Sequence, residues 1–181
     1  MPQYAAFLRG INVGGHKPVS MERLKKAFEL LGFRNVKTLI ASGNVLFETR
    51  SSNPRMLVKK IEAKLEQTFG HEIDTILRTI QEVQGLVELD PFKGIRVTPR
   101  TRLFVTFLSE QPKTSLKIPY ASPDKSFRIL CVPNRTVCSV LVVGPQWAKN
   151  FRQMDILEKE FGKKITTRSW STVVRVVKAS T

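Results

Sequence analysis

Two histidines and two cysteines are all that this chain offers to metal or thiol chemistry. Neither His16 nor His71 has Cys, Asp or Glu at ligand spacing on one element, so no zinc site and no other metal or cofactor is expected. No serine sits in a nucleophile-elbow frame. His16 in the glycine loop could act as an acid or base, although loop histidines without a partner are usually solvated, so an enzyme of unknown reaction stays an alternative reading. No apolar run approaches the roughly 20 residues of a membrane-spanning helix. The first apolar run ends at Arg9 without a basic segment before it, which predicts no signal peptide and a cytoplasmic protein without membrane contact. In that compartment Cys131 and Cys138, expected to face each other across a hairpin on the side of Phe127 and Ile129, read as reduced buried thiols.

Acidic residues are also scarce. The chain has 15 Asp and Glu against 30 Lys and Arg, a net charge of +15. The excess is uneven: residues 1–92 carry 13 basic and 10 acidic side chains, residues 93–181 carry 17 and 5. The second half is therefore the polyanion candidate, although the same excess also serves solubility. With 181 residues, 41% of them hydrophobic, the chain has enough material for one large or two small cores.

Read in order, Tyr4 to Leu8 is apolar on both faces and predicts a central strand. Ser20 caps a helix with Met21, Leu24, Phe28 and Leu31 on one face, stopped at Gly32. Val36 to Ala41 and Val45 to Glu48 form a hairpin over Ser42-Gly43-Asn44. Asn53 and Pro54 start a helix that runs through Leu57, Ile61, Leu65 and Phe69 to Gly70, and Ile73 to Leu77 is a fourth strand. Arg78 then falls beyond that strand, at the far end of the sheet. The order β-α-β-β-α-β predicts an α+β fold of the ferredoxin-like, split β-α-β kind, an antiparallel sheet with helices on one face.

A helix from Thr79 to Glu88 and a connector over 91–99 separate this half, 1–90, from a basic second half, 100–181. In the latter, Leu103 to Leu108 is a strand, Phe127 to Val132 and Val137 to Val143 a hairpin, Asn150 a cap for a helix ending at Gly162, and Ile165 to Thr167 a strand. Leu65 to Ile73 matches Leu157 to Ile165 at its Leu, Glu, Phe, Gly and Ile positions, so a second ferredoxin-like half is expected, followed by a terminal helix from Trp170.

The functional expectation centres on Arg9-Gly10-Ile11-Asn12-Val13-Gly14-Gly15. A glycine-rich turn leading to a helix offers backbone N–H groups to an anion, and Arg9 and Lys17 add charge. It is not a nucleotide-hydrolase phosphate loop, because His16 stands where the Lys is needed, nor a dinucleotide fingerprint, because Asn12 stands at the third glycine. In the split β-α-β arrangement this loop and the Ser42-Gly43-Asn44 turn emerge together. The expected ligand set is thus Arg9, Gly10, Asn12, Gly14, Gly15, Lys17, Ser42, Gly43 and Asn44, with a phosphate-bearing small molecule as partner. The competing reading is a tight turn with a solvated Arg9.

The stretch Tyr4 to Gly15, with Met21, Leu24, Thr38, Ile40, Ser42, Gly43, Asn44 and Phe47, resembles the opening of the bacterial family known only as domain of unknown function 1697. Thr167-Arg168-Ser169-Trp170-Ser171-Thr172-Val173 resembles its closing motif, with Ser169 where the family usually has Asn. The resemblance implies a cytoplasmic bacterial α+β protein with ferredoxin-like parts, and it supplies no activity.

Nucleic acid is the alternative partner. Arg100 to Phe107 carries half of the RNA-recognition strand pattern, and Arg168 with Trp170 forms a possible second site where a base could stack. Trp147 with Phe151 and Arg152 is a similar set.

Overall fold

The computed structural model describes residues 1–15, 17–144 and 153–181. The chain divides into two compact units, Met1–Gln84 with Arg175–Thr181, and Gly85–Val174. It is an α+β protein, the described residues forming one antiparallel sheet of four strands and another of five.

The first unit runs β1 (Gln3–Leu8), α1 (Met21–Leu30), β2 (Arg34–Leu39), β3 (Asn44–Glu48), α2 (Pro54–Phe69), β4 (Thr75–Thr79). Its strand order is β2-β3-β1-β4. The third strand thus lies between the first two, as the element order requires. Tyr4, Ala6 and Leu8 of β1 face a core that also holds Leu24 and Phe28 of α1 and Leu57, Ile61 and Leu65 of α2. The alternate residues Ala5 and Phe7 are buried as well, which is why β1 reads as apolar on both faces. Phe47 anchors this core, with ring centroids 4.4 Å from Phe33, 5.4 Å from Phe28 and 5.7 Å from Tyr4.

Both helices start and stop where their residues dictate. Ser20 accepts from Arg23 N, Asn53 accepts from Met56 N with Pro54 in the first turn, and Gly70 ends α2 at φ 80°. The fourth strand lies two residues later than its apolar run suggests. Arg78 is therefore inside β4, opposite Ala5 and 3% exposed, rather than beyond the strand.

α3 (Ile80–Leu89) follows β4 directly, Thr79 and Glu82 bonding reciprocally at its start. The second unit then holds β5 (Thr101–Leu108), β6 (Tyr120–Ala121), β7 (Phe127–Cys131), β8 (Thr136–Val142), α4 (Gln153–Phe161), β9 (Ile165–Ser169) and the start of α5 (Trp170–Ser180). Its sheet order is β6-β7-β8-β5-β9. Without β6 this repeats the order of the first sheet. The pairing register repeats too, since Ala5 lies opposite Arg78 and Val105 opposite Arg168. Gly162 ends α4 at φ 92°, the left-handed stop that Gly70 provides for α2.

The second unit differs from expectation in two places. Between β5 and β7 there is the short strand β6 and no helix, so the second unit lacks the counterpart of α1. Its core cluster instead takes Leu116, Ile118 and Tyr120 from that segment. The register of β7 against β8 slips between Ile129 and Cys131, which opposes Cys138 directly. Ile129 faces Ser139, so this bulge carries both cysteines to the side away from Phe127 and Ile129. The segment from Trp170 is the helix expected there, α5, its valines lying at helical spacing despite their strand propensity. The expected cap Asn150 and the set of Trp147, Phe151 and Arg152 lie outside the described residues, as does His16.

Candidate functional site

The end of the first sheet where β1 stops gathers three loops. Leu8 N donates to Gly43 O at 2.9 Å, and Arg9 N donates to Asp74 O at 2.9 Å. The β1–α1 loop thus lies between the β2–β3 turn and the α2–β4 loop. Asn12 fastens it. Its Nδ2 donates to Ala41 O at 2.8 Å and to Val19 O at 3.0 Å, while its Oδ1 accepts from Val19 N at 2.8 Å. Asn12 N also donates to Lys17 O at 3.3 Å, closing the glycine loop on itself.

The backbone here is left-handed at many positions. Gly10, Gly14 and Gly15 have φ of 67°, 57° and 77°, and Asn12, Lys17 and Ile40 join them at 55°, 48° and 61°. For a β-branched residue such as Ile40 this costs on the order of 1–3 kcal/mol, held by the surrounding bonds. Gly10, Gly14 and Gly15 are exposed, and nothing lies within 4 Å of where a Cβ would stand on Gly10 or Gly15.

Two expected ligand residues have a different task. Gly43 is buried, and a Cβ there would meet Ile11 Cδ1 at 2.6 Å, so it is glycine to let the hairpin tip pack on Ile11 and Leu8. It does not present open backbone to solvent. Asn44 is 1% exposed and donates to Leu39 O at 2.8 Å and Ser42 Oγ at 3.2 Å. Its amide holds the turn instead of facing a guest. Asn12 likewise spends both its N–H donors on the loop. The remaining candidates, Arg9, Gly10, Gly14, Gly15, Lys17 and Ser42, are exposed or partly exposed.

The expected helix terminus is absent from the loop. Ser20 caps α1, five residues past Gly15, so the glycine amides belong to a separate turn and do not share the helix dipole.

The α2–β4 loop supplies what the sequence reading missed. Arg9 Nη1 lies 3.9 Å from Asp74 Oδ2, each side chain about a third exposed, and Lys17 Nζ donates to Glu72 O at 3.1 Å. Because β4 runs antiparallel to β1, this loop had to emerge at the same end, which was the available signal. The pair holds Arg9 over the loop and offsets part of its charge.

The second candidate pair is placed otherwise. Arg168 is 6% exposed, its Nη1 donating to Thr166 Oγ1 at 2.7 Å and Thr167 O at 3.0 Å. Burial pulls its guanidinium down to about 10, which leaves it charged at neutral pH. Trp170 packs edge-on against Phe92, centroids 5.1 Å apart. In β5, Phe107 is 1% exposed and Phe104 packs on the core, so this strand presents no aromatic platform. Among the described residues no group of three or more His, Cys, Asp or Glu could hold a metal ion, and no helix is long and apolar enough to cross a membrane.

Comparison with known proteins places this geometry in a family. The model of a protein of unknown function, DUF1697, matches residues 1–126, which contain every loop described at the end of the first sheet. The chain belongs to the DUF1697 family. The matched range stops before Thr167–Val173, the segment that resembles the family's closing motif. Nothing among curated proteins matches significantly. A solved structure described as conserved bacterial protein SP0830 from Streptococcus pneumoniae is similar over 99% of each chain, with a TM-score of 0.76 and 20% identity. At that identity the likeness speaks for the fold alone.

Proposed function

We propose that this DUF1697 chain binds a phosphate-bearing small molecule, nucleotide-like or a small metabolite, at the Arg9–Gly15 loop beside the Ser42–Asn44 turn. The supporting observation is the Asn12 stitch, which spends an amide and several left-handed residues to hold an exposed glycine turn beside the hairpin tip. Such strain is retained where it pre-organises a ligand clamp. In this reading Gly10, Gly14 and Gly15 donate backbone N–H groups, Arg9 and Lys17 supply positive charge, and Ser42 adds a hydroxyl. Asn12, Gly43 and Asn44 are the scaffold. Asp74 positions the Arg9 guanidinium and swings away when the anion enters.

The test is thermal unfolding against a panel of nucleotides and sugar phosphates. A ligand at about a hundred times its Kd stabilises by about 2.7 kcal/mol, and Arg9→Ala should abolish that shift. A panel that stabilises nothing, or an Arg9→Ala protein that keeps the full shift, refutes the reading. Turnover of a panel member would make the site an active site.

A further inference from the structure

The basic residues of the second unit are not spread evenly over its sheet. Three chain segments end side by side where β5 and β7 begin and β8 finishes. Thr101 pairs with Val142 and Phe127 with Leu141; beyond them Val143 N donates to Arg100 O at 2.9 Å and Val142 N to Ser126 O at 2.7 Å. The Thr101 hydroxyl bonds back to Arg96 O at 3.5 Å, which brings Arg96 to the same end. Arg96, Arg100, Arg102 and Lys125 are exposed there and Arg128 partly so. The Arg102 guanidinium is braced by Pro99 O at 2.7 Å and Thr101 O at 3.2 Å.

Within 93–102 and 122–128 the single acidic residue is Asp124, and its carboxylate is already engaged. It accepts from Ser122 Oγ at 2.6 Å and from Ser126 N at 3.0 Å, in a turn of its own chain segment. The opposite end of the sheet is mixed. There Leu108 N meets Arg135 O and Ser109 N meets Lys164 O, and Thr114 bonds Glu160, with Glu110 close by in sequence.

We infer that the end of the second sheet carrying Arg96, Arg100, Arg102, Lys125 and Arg128 is a binding surface for the phosphodiester backbone of a nucleic acid. From β5 across β8 to β7 is two strand spacings, roughly 10 Å, which spans about three phosphates of one strand. Four of the five cations are arginines, whose planar forks bind phosphate oxygens in pairs. Among the described residues the large apolar side chains exposed at this end are Val97 and Val142, too small to anchor in acyl chains, which favours nucleic acid over an anionic membrane. The aromatics of β5 are packed inside, so contact is with backbone rather than bases and does not depend on sequence. This surface belongs to the second unit and is independent of the glycine-loop reading.

The test uses fluorescence anisotropy with a labelled single-stranded RNA and a duplex DNA of about 20 nucleotides, titrated at several salt concentrations. Binding should weaken steeply with salt. Arg100→Glu with Lys125→Glu should cost about tenfold or more and lower the salt slope by about 2. Lys113→Glu with Lys163→Glu changes the net charge equally at the mixed end and should cost less than about threefold. Unfolding curves identify a misfolded variant, in which case Arg96→Gln with Arg100→Gln replaces it. Equal losses in both double variants, absence of a complex at low salt, or tighter capture by phosphatidylserine vesicles than by either nucleic acid would each overturn the inference. Preference for the RNA or the duplex identifies which source of the backbone is bound.

Discussion

Asn12 reaches Ala41 across 29 residues of sequence, its Nδ2 donating to the Ala41 carbonyl at 2.8 Å, and so ties the glycine loop to the tip of a hairpin. The same side chain bonds Val19 in both directions. A side chain used in this way determines where a loop lies as well as how it turns.

Asn12→Ala is therefore expected to lower unfolding free energy by about 1–3 kcal/mol, through three lost hydrogen bonds and an alanine at a positive φ that asparagine tolerates better. Asn12→Gly relieves the second cost and keeps the first. Denaturant unfolding of both variants separates them: if Asn12→Gly is as stable as the wild type, the bonds contribute no more than glycine gains at that positive φ.

Gly43 and Gly10 should respond differently to the same substitution. Gly43→Ala brings a methyl to 2.6 Å from Ile11 Cδ1 and 3.0 Å from Leu8 Cβ, so it carries steric cost on top of its left-handed φ, about 2–4 kcal/mol together. Gly10→Ala meets open space and pays only the conformational part, about 1 kcal/mol. Thermal melts of the two variants check the order. Equal losses would mean that the hairpin tip does not pack on Ile11 as described.

The Cys131–Cys138 pair makes stability depend on alkaline pH. Burial, and Cys131 beside it, push the Cys138 thiol well above its ordinary value of 9.0, so the folded state holds its proton where the unfolded chain releases it. The stability from this group is complete below pH 9 and falls as pH rises above it, by up to about 1.4 kcal/mol per unit. Cys138→Ala should flatten that limb. An identical alkaline profile in the variant rules the thiol out as its source. Iodoacetamide should modify the partly exposed Cys131 before the buried Cys138.

Much of the first unit was legible because its signals are local. Ser20, Asn53 with Pro54, and Gly70 mark helix ends by their own side chains or the lack of one. The meeting of the two loops followed from topology once the β-α-β-β-α-β order was read. Asp74 was missed because its importance depends on β4 lying beside β1, and Gly43 was misjudged because a glycine that admits an approaching side chain looks the same in sequence as one that opens backbone to a ligand. The slip at Ile129–Cys131 had no signal, since one extra residue in a strand changes the face of everything after it without altering composition.

By itself the sequence determined most of the elements, the α+β class, the likeness to its family and the uneven charge, because caps, hydrophobic period and charge act within a few residues of where they are written. Only tertiary structure decided which glycines face water, that Arg168 is buried, that Arg9 leans on Asp74 and that Arg96, Arg100 and Lys125 share one end of a sheet. Burial and charge proximity are properties of neighbours brought from far along the chain, and strand pairing chooses those neighbours.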